Sequence, residues 1–276
     1  MTPAIAFVVL IMLAGLAVRL GLAPFQSATV EGAASAPSAA AAVLGGLVVG
    51  VAAVVAAKLL ANLTGLNPAW ATWLAWVAGF TMVVSGLRAL AVGSVRGLAA
   101  WLAVGQVGWV AAALAVHDQR AVAAALFLTG AVLVAAAGAP ALAQGMHESG
   151  GPAGLGRRDP LRAAGLSLAL LSLAGAPPLA GFFGEFTVAT ELVRSGMGWL
   201  LGAGVLGGVL AIAAVVQPLR AFYLETGALE TRRGPRVAAT WSVGALVPAL
   251  LALAYGLFAN PIHDLAIQGA TALGLH

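Results

Sequence analysis

An all-α, polytopic membrane helix bundle is predicted by three features of this chain. Hydrophobic residues make up 62% of its 276 positions, charged residues only 8%, and mean hydropathy is +1.03. A soluble domain carries about 25% charged residues, so too little polar surface is available to face water. The apolar stretches run unbroken for about 20 residues, the length that crosses a bilayer as helix; a membrane β-barrel would show shorter segments of alternating polarity. The 36 glycines and the abundant alanine suit closely packed membrane helices, and a GC-rich genome would favour them equally.

On the length rule about eight spans follow in order, at least one of them discontinuous. The first covers about 4–22, with Arg19 near its end and Pro24 stopping it, and 26–38 reads as a small polar loop. The second covers 39–60 and ends at Lys58, a long side chain suited to snorkelling. Asn67-Pro68 is a turn before the third, 69–89. The fourth, 98–116, and the fifth, 122–142, flank a short turn at His117 to Arg120. Residues 144–160 form the longest polar loop. The sixth span, 161–193, contains Pro177-Pro178, which removes two backbone donors and breaks any helix there. The seventh covers 199–223 and the eighth 238–258, after which Asn260-Pro261 leaves a short tail. No soluble domain or long linker is expected.

The 13 Lys and Arg residues divide unevenly between the two sides of this scheme. Arg19, Arg88, Arg96, Arg157, Arg158, Arg162, Arg220, Arg232, Arg233 and Arg236 gather on one side, against Lys58, Arg120 and Arg194 on the other. Cytoplasmic loops carry the basic excess. The prediction is an inner-membrane, multi-pass protein with both termini outward. The pI of about 10.7 then reflects these loops rather than nucleic-acid binding. Residues 1–22 lack a basic leader, which disfavours a cleaved signal peptide. Absence of cysteine excludes disulfides, thiolate metal sites and iron–sulfur clusters. The four histidines, placed at helix ends or loops, show no ligand spacing, so no metal or haem is expected.

Glu185 stands among Phe, Gly and Val a few residues after the proline pair. An acid at membrane depth costs roughly 2.5–3.5 kcal/mol on insertion scales and therefore faces a partner or a cavity. A broken helix beside such a group marks a transport pathway. Glu185 is thus the first proton-path candidate; the plainer alternative is that it neutralises an arginine. Pro177, Pro178, Gly181 and Gly184 open the helix so that carbonyls and water can line a path.

Residues 154–186, GLGRRDPLRAAGLSLALLSLAGAPPLAGFFGEF, carry a specific resemblance. They are similar to the antiporter-like membrane subunits of respiratory complex I, nearest the N type, in which a G-[LR]-G-R-x-x-P loop leads into S-L-A-G-x-P-P-x-x-G-F-x-G-K-F. Residues 15–26 (GLAVRLGLAPFQ) resemble that family's other broken helix, 79–109 a segment bearing a lysine and A-Y-S-S-I-A-H-x-G-Y, and 199–220 a helix ending in Y-Y-Y-L-R. Members have about fourteen helices in two inverted repeats. The resemblance makes 1–276 a single membrane domain: 1–65 a remnant of the first repeat, 66–224 the second, and 225–276 a final helix and tail.

It implies proton translocation within a complex I-type NADH:quinone oxidoreductase, with other membrane subunits and the lipid bilayer as partners. No cofactor is expected in this chain; NADH and quinone would be used by partner subunits, so any enzymatic activity would be that of the assembly. Arg19 and Arg96 match family lysines, but arginine does not deprotonate in proteins. Gln106 stands for a family histidine, Trp101 for its tyrosine, and another family lysine falls near Leu47. This thinning of titratable groups keeps other readings open: a subunit of a related cation/proton antiporter or membrane-bound hydrogenase, or a non-pumping scaffold paralogue.

Overall fold

The computed structural model describes residues 3–37, 40, 49–61, 69–143, 151–225 and 239–273. These form helices throughout: α1 (Pro3–Leu20), α2 (Ser27–Ser35), α3 (Val49–Ala61), α4 (Ala69–Ala91), α5 (Val95–Val116), α6 (Gln119–Ala143), α7 (Leu155–Arg158), α8 (Pro160–Leu173), α9 (Ala180–Arg194), α10 (Gly198–Tyr223), α11 (Ala239–Leu257) and α12 (Ala259–Ala272). Helices α4, α5, α6 and α10 are each long and apolar enough to cross a bilayer. Taking α1–α2 and α8–α9 as one broken pass each, and adding α3 and α11, gives the expected eight passes.

The hairpin α5–α6 is the core. Nearly every side chain of α5 and most of α6 are buried, which an alanine-rich sequence permits because small side chains allow neighbours on all sides. α4 and α10 pack on α5, while α3, α8, α9, α11 and α12 surround α6. α4 and α10 meet at backbone distance: a Cβ on Gly86 would lie 2.8 Å from the Gly207 carbonyl oxygen, and one on Gly207 2.5 Å from that of Met82. The outward face of α10 presents Val205, Val209 and Val216, an apolar surface suited to lipid.

Local chemistry sets the helix ends. The Ser94 hydroxyl accepts from Gly97 N at 3.1 Å to start α5, and Asp159 accepts from Arg162 N at 3.1 Å to start α8, with Pro160 in the first turn. The loop arginines are largely structural. Arg158 donates to the carbonyls of Gly151 and Ala153, and buried Arg162 donates from Nε to Leu142 O at 2.5 Å, capping the end of α6.

Three expectations are corrected. Residues 27–35 form helix α2 rather than a loop, because the chain resumes its membrane pass after the turn at Gly21–Gln26. The tail is helix α12, bent 87° from α11; Pro261 falls in its first turn, where a missing N–H costs little, and His263 therefore lies within a helix. Lys58 donates from Nζ to Leu273 O at 3.0 Å, capping α12 rather than only snorkelling. The Asn67-Pro68 turn, Leu47, Arg232, Arg233, Arg236, His147 and His276 lie outside the described residues.

Candidate proton-path site

Both broken passes are built on the same turn. Just after α8, Gly175 takes the left-handed conformation (φ 73°); its N–H reaches Ser172 O at 3.2 Å and the Ala176 N–H reaches Leu171 O at 2.9 Å. Just after α1, Gly21 N (φ 70°) reaches Val18 O at 3.2 Å and Leu22 N reaches Ala17 O at 2.9 Å. This is the Schellman ending, which favours glycine because a Cβ is disfavoured at positive φ. Proline follows each turn, at Pro24 and at Pro177-Pro178. The two breaks run in opposite directions: Ala36, closing α2, sits against Arg96 at the start of α5, on the side where α8 begins.

Each break leaves backbone groups that neighbouring helices satisfy. The Ala23 N–H donates to Thr81 Oγ1 at 3.0 Å; Thr81 is midway along α4, which sets the first break at mid-depth. The carbonyl of Leu173 would normally accept from residue 177, but Pro177 has no N–H. Gln106, midway along α5 and 3% exposed, supplies the bond: its Nε2 donates to Leu173 O at 2.8 Å and to Glu185 Oε1 at 2.5 Å. One amide thus ties the broken end of α8 to the acid on α9.

Close approach makes this possible. A Cβ on Gly175 would collide with the Glu185 carboxylate, and one on Gly181 with the Ser172 carbonyl oxygen, so glycine lets the half-helices overlap. Gly184 seats α9 directly on Leu128 of α6, and Gly256 of α11 abuts Pro178 and Leu179. The interruption falls between Leu173 and Ala180 and contains Pro177 and Pro178, while Gly181 and Gly184 lie inside α9 at its close contacts.

The remaining candidates are not brought together with it. Glu185 is partnered by Gln106, not by an arginine, and Arg194 pairs with Glu191 at 2.9 Å. Arg19 was expected at the inner end of the first span. It lies instead at the mid-depth break, exposed on α1, outside the cavity beside Glu185. Arg96 points to α2, donating to the Ala36 carbonyl. Gln217 and Arg220 are exposed near the end of α10. Sequence reading missed Thr81 and Ser85; both lie in the segment 79–109, yet neither carries a signal of its own. Glu31 stands ten residues after Gly21 as Glu185 stands ten after Gly175, but it is exposed on α2.

The family described as NADH:quinone oxidoreductase/Mrp antiporter, TM, matches residues 1–211. The chain belongs to that family. Among relatives, NADH-quinone oxidoreductase subunit N of Cereibacter sphaeroides is 35% identical over 240 residues, covering 84% of this chain and 50% of the relative. Subunit N of Heliobacterium modesticaldum is 27% identical over 286 residues, covering 99% and 59%. The chain thus spans about half the length of these relatives. A chain of respiratory complex I from Thermus thermophilus with bound aureothin superposes with TM-score 0.78 at 25% identity, over 96% of this chain and 60% of that one. A chain of the Mrp complex from Dietzia sp. DQ12-45-1b gives TM-score 0.88 at 18% identity, over 98% and 60%, which shows the shared fold. Both solved chains therefore share the overall fold of this chain.

Proposed function

We propose that this chain is a membrane-arm subunit of a complex I-type NADH:quinone oxidoreductase and that Glu185 exchanges the proton it helps to move. The observation carrying this reading is the Gln106 amide held between the Leu173 carbonyl and the Glu185 carboxylate. An ionised Glu185 accepts from Gln106 Nε2. A protonated Glu185 has a hydroxyl to donate, and Gln106 Oε1, buried and without a partner among the described groups, is an acceptor available beside it. Glutamine does not titrate, but it serves both protonation states of its neighbour.

In this reading charge movement in an adjacent subunit shifts the protonation of Glu185. Electrons pass from NADH to quinone in partner subunits, and this chain binds neither. The side bearing Arg88, Arg96 and Arg157 faces the cytoplasm of an inner membrane, with both termini outward. The opposed breaks support dividing the chain into a first-repeat remnant (1–65), a second repeat (66–224) and a final helix with its tail (225–276).

The test is Glu185→Gln in the native assembly. Proton translocation per electron falls while the complex still assembles and oxidises NADH; an unchanged ratio removes Glu185 from the mechanism. One observation favours a second reading. Neither Arg19 nor Arg96 reaches the Glu185 cavity, so the polar axis within this chain is short, as in a non-pumping scaffold. Deleting the chain separates the readings: a scaffold lowers the amount of assembled complex but not the proton ratio of what remains.

A further inference from the structure

The turn joining the two core helices holds a titratable group that the reading above leaves unused. His117 follows the last residue of α5 in the left-handed conformation (φ 63°, ψ 35°), just ahead of α6 at Gln119. Histidine is one of the few residues with a side chain enriched there. The ring thus lies outside the membrane passes, at the end of the bundle opposite Arg96 and Arg157. It stands perpendicular to the indole of Trp70 in the first turn of α4, with centroids 4.9 Å apart and planes at 87°. Trp70 is only 4% exposed, so this contact ties the α5–α6 turn to the buried start of α4.

His117 Nε2 is buried and has no hydrogen-bond partner among the described groups. A neutral imidazole accommodates that, because one of its two nitrogens carries no proton. An imidazolium does not: both nitrogens then carry N–H, and a buried N–H without an acceptor is costly, a buried unpaired charge more so. Burial accordingly holds the ring below the ordinary histidine pKa of 6.5. The charged groups at this end are engaged elsewhere or exposed. Asp118, exposed, accepts from the Arg120 N–H at 3.3 Å, and Glu191 of α9 pairs with Arg194 at 2.9 Å. Lys58 of α3 donates to Leu273 O at 3.0 Å; on α12, His263 packs on Phe127 and Asp264 is exposed. α4 and α10 carry Arg88 and Arg220 in their last turns, at the far end.

We propose that His117 is an acid-sensitive latch: neutral, it seats on Trp70 and fixes the α5–α6 turn; protonated, it leaves the indole and frees that turn. The sign follows from the burial. The closed turn binds the second ring proton more weakly than the open one, so acid favours opening. With one proton taken up, the open fraction rises by up to about tenfold per pH unit, until the closed turn is itself protonated. In the orientation proposed above this end faces the compartment that receives protons, and the latch opens as that compartment acidifies. The inference does not depend on the role of Glu185.

The test is amide hydrogen exchange in the native assembly, read by mass spectrometry between about pH 7.5 and about pH 5.5, with each rate divided by its intrinsic chemical rate. Segment 110–122 is the reporter, and 160–173, on α8 at the other end of the bundle, is the control. The corrected exchange of the reporter is expected to rise severalfold at the lower pH while the control stays level. His117→Asn tolerates the left-handed backbone and cannot titrate, so the pH step disappears. Trp70→Leu removes the seat, so the turn exchanges fast at both values. Flat exchange in the unsubstituted chain, a pH step that persists in His117→Asn, or a rise shared by the control overturns the latch. A Trp70→Leu turn that still exchanges slowly at the higher pH overturns the seat.

Discussion

Replacing Gln106 by methionine keeps the length of the side chain and removes both hydrogen bonds. The bond to an ionised carboxylate contributes about 1.5–3 kcal/mol in general, and an orphaned buried carbonyl costs about 1–3 kcal/mol. Membrane proteins lie at the low end, because the unfolded helices find other partners; measured pairs average about 0.6 and reach about 1.7 kcal/mol. For the two bonds at Leu173 O and Glu185 Oε1 the expected cost of Gln106→Met is therefore about 2–3 kcal/mol. In a Glu185→Gln background the Leu173 bond still counts but the charged partner is gone, so the same change costs about 1 kcal/mol less. The assay is reversible denaturation of the four proteins in lipid–detergent micelles, followed by tryptophan fluorescence. Trp101 and Trp109 line the cavity and report its opening. A coupling within about 0.3–0.5 kcal/mol of zero, the range of independent sites, refutes the claim that one amide joins the break to the acid.

Two further changes probe the breaks themselves. Gly175→Ala combines a disfavoured left-handed residue, about 1–2 kcal/mol, with a methyl group placed on the Glu185 carboxylate. It lowers the melting temperature and the yield of assembled protein, whereas Gly198→Ala, in open space, leaves both unchanged. Thr81→Val, equal in shape, strands the Ala23 N–H and costs about 1–3 kcal/mol, while Thr81→Ser retains the bond and most of the stability. Amide exchange at residues 21–26 separates the two: it quickens in Thr81→Val alone.

Much of the architecture was legible because membrane length and backbone chemistry are local. An apolar run of about 20 residues has few folded options in lipid, and Pro177-Pro178 breaks a helix in any context. Segments 26–38 and 259–273 were misread for the same local reason. A glycine followed by proline reads as a stop, yet around Gly21 it is a turn within a pass that continues as α2. Asn260-Pro261 reads as an end, yet it opens α12.

The sequence by itself determined that this is a broken-helix membrane bundle and that Glu185 belongs beside the break, since an acid so placed must be satisfied. Only the tertiary structure decided what satisfies it. Gln106 lies 79 positions away along the chain, and neutral glutamine shows no periodicity or spacing that links it to a proline break. Its role arises because α5 packs mid-depth against the end of α8, where Pro177 has left the Leu173 carbonyl without a donor. The same packing set Arg19 and Arg96 apart from Glu185. Charge can be counted along a sequence, but the partner of a buried group is fixed by which helices meet at its depth.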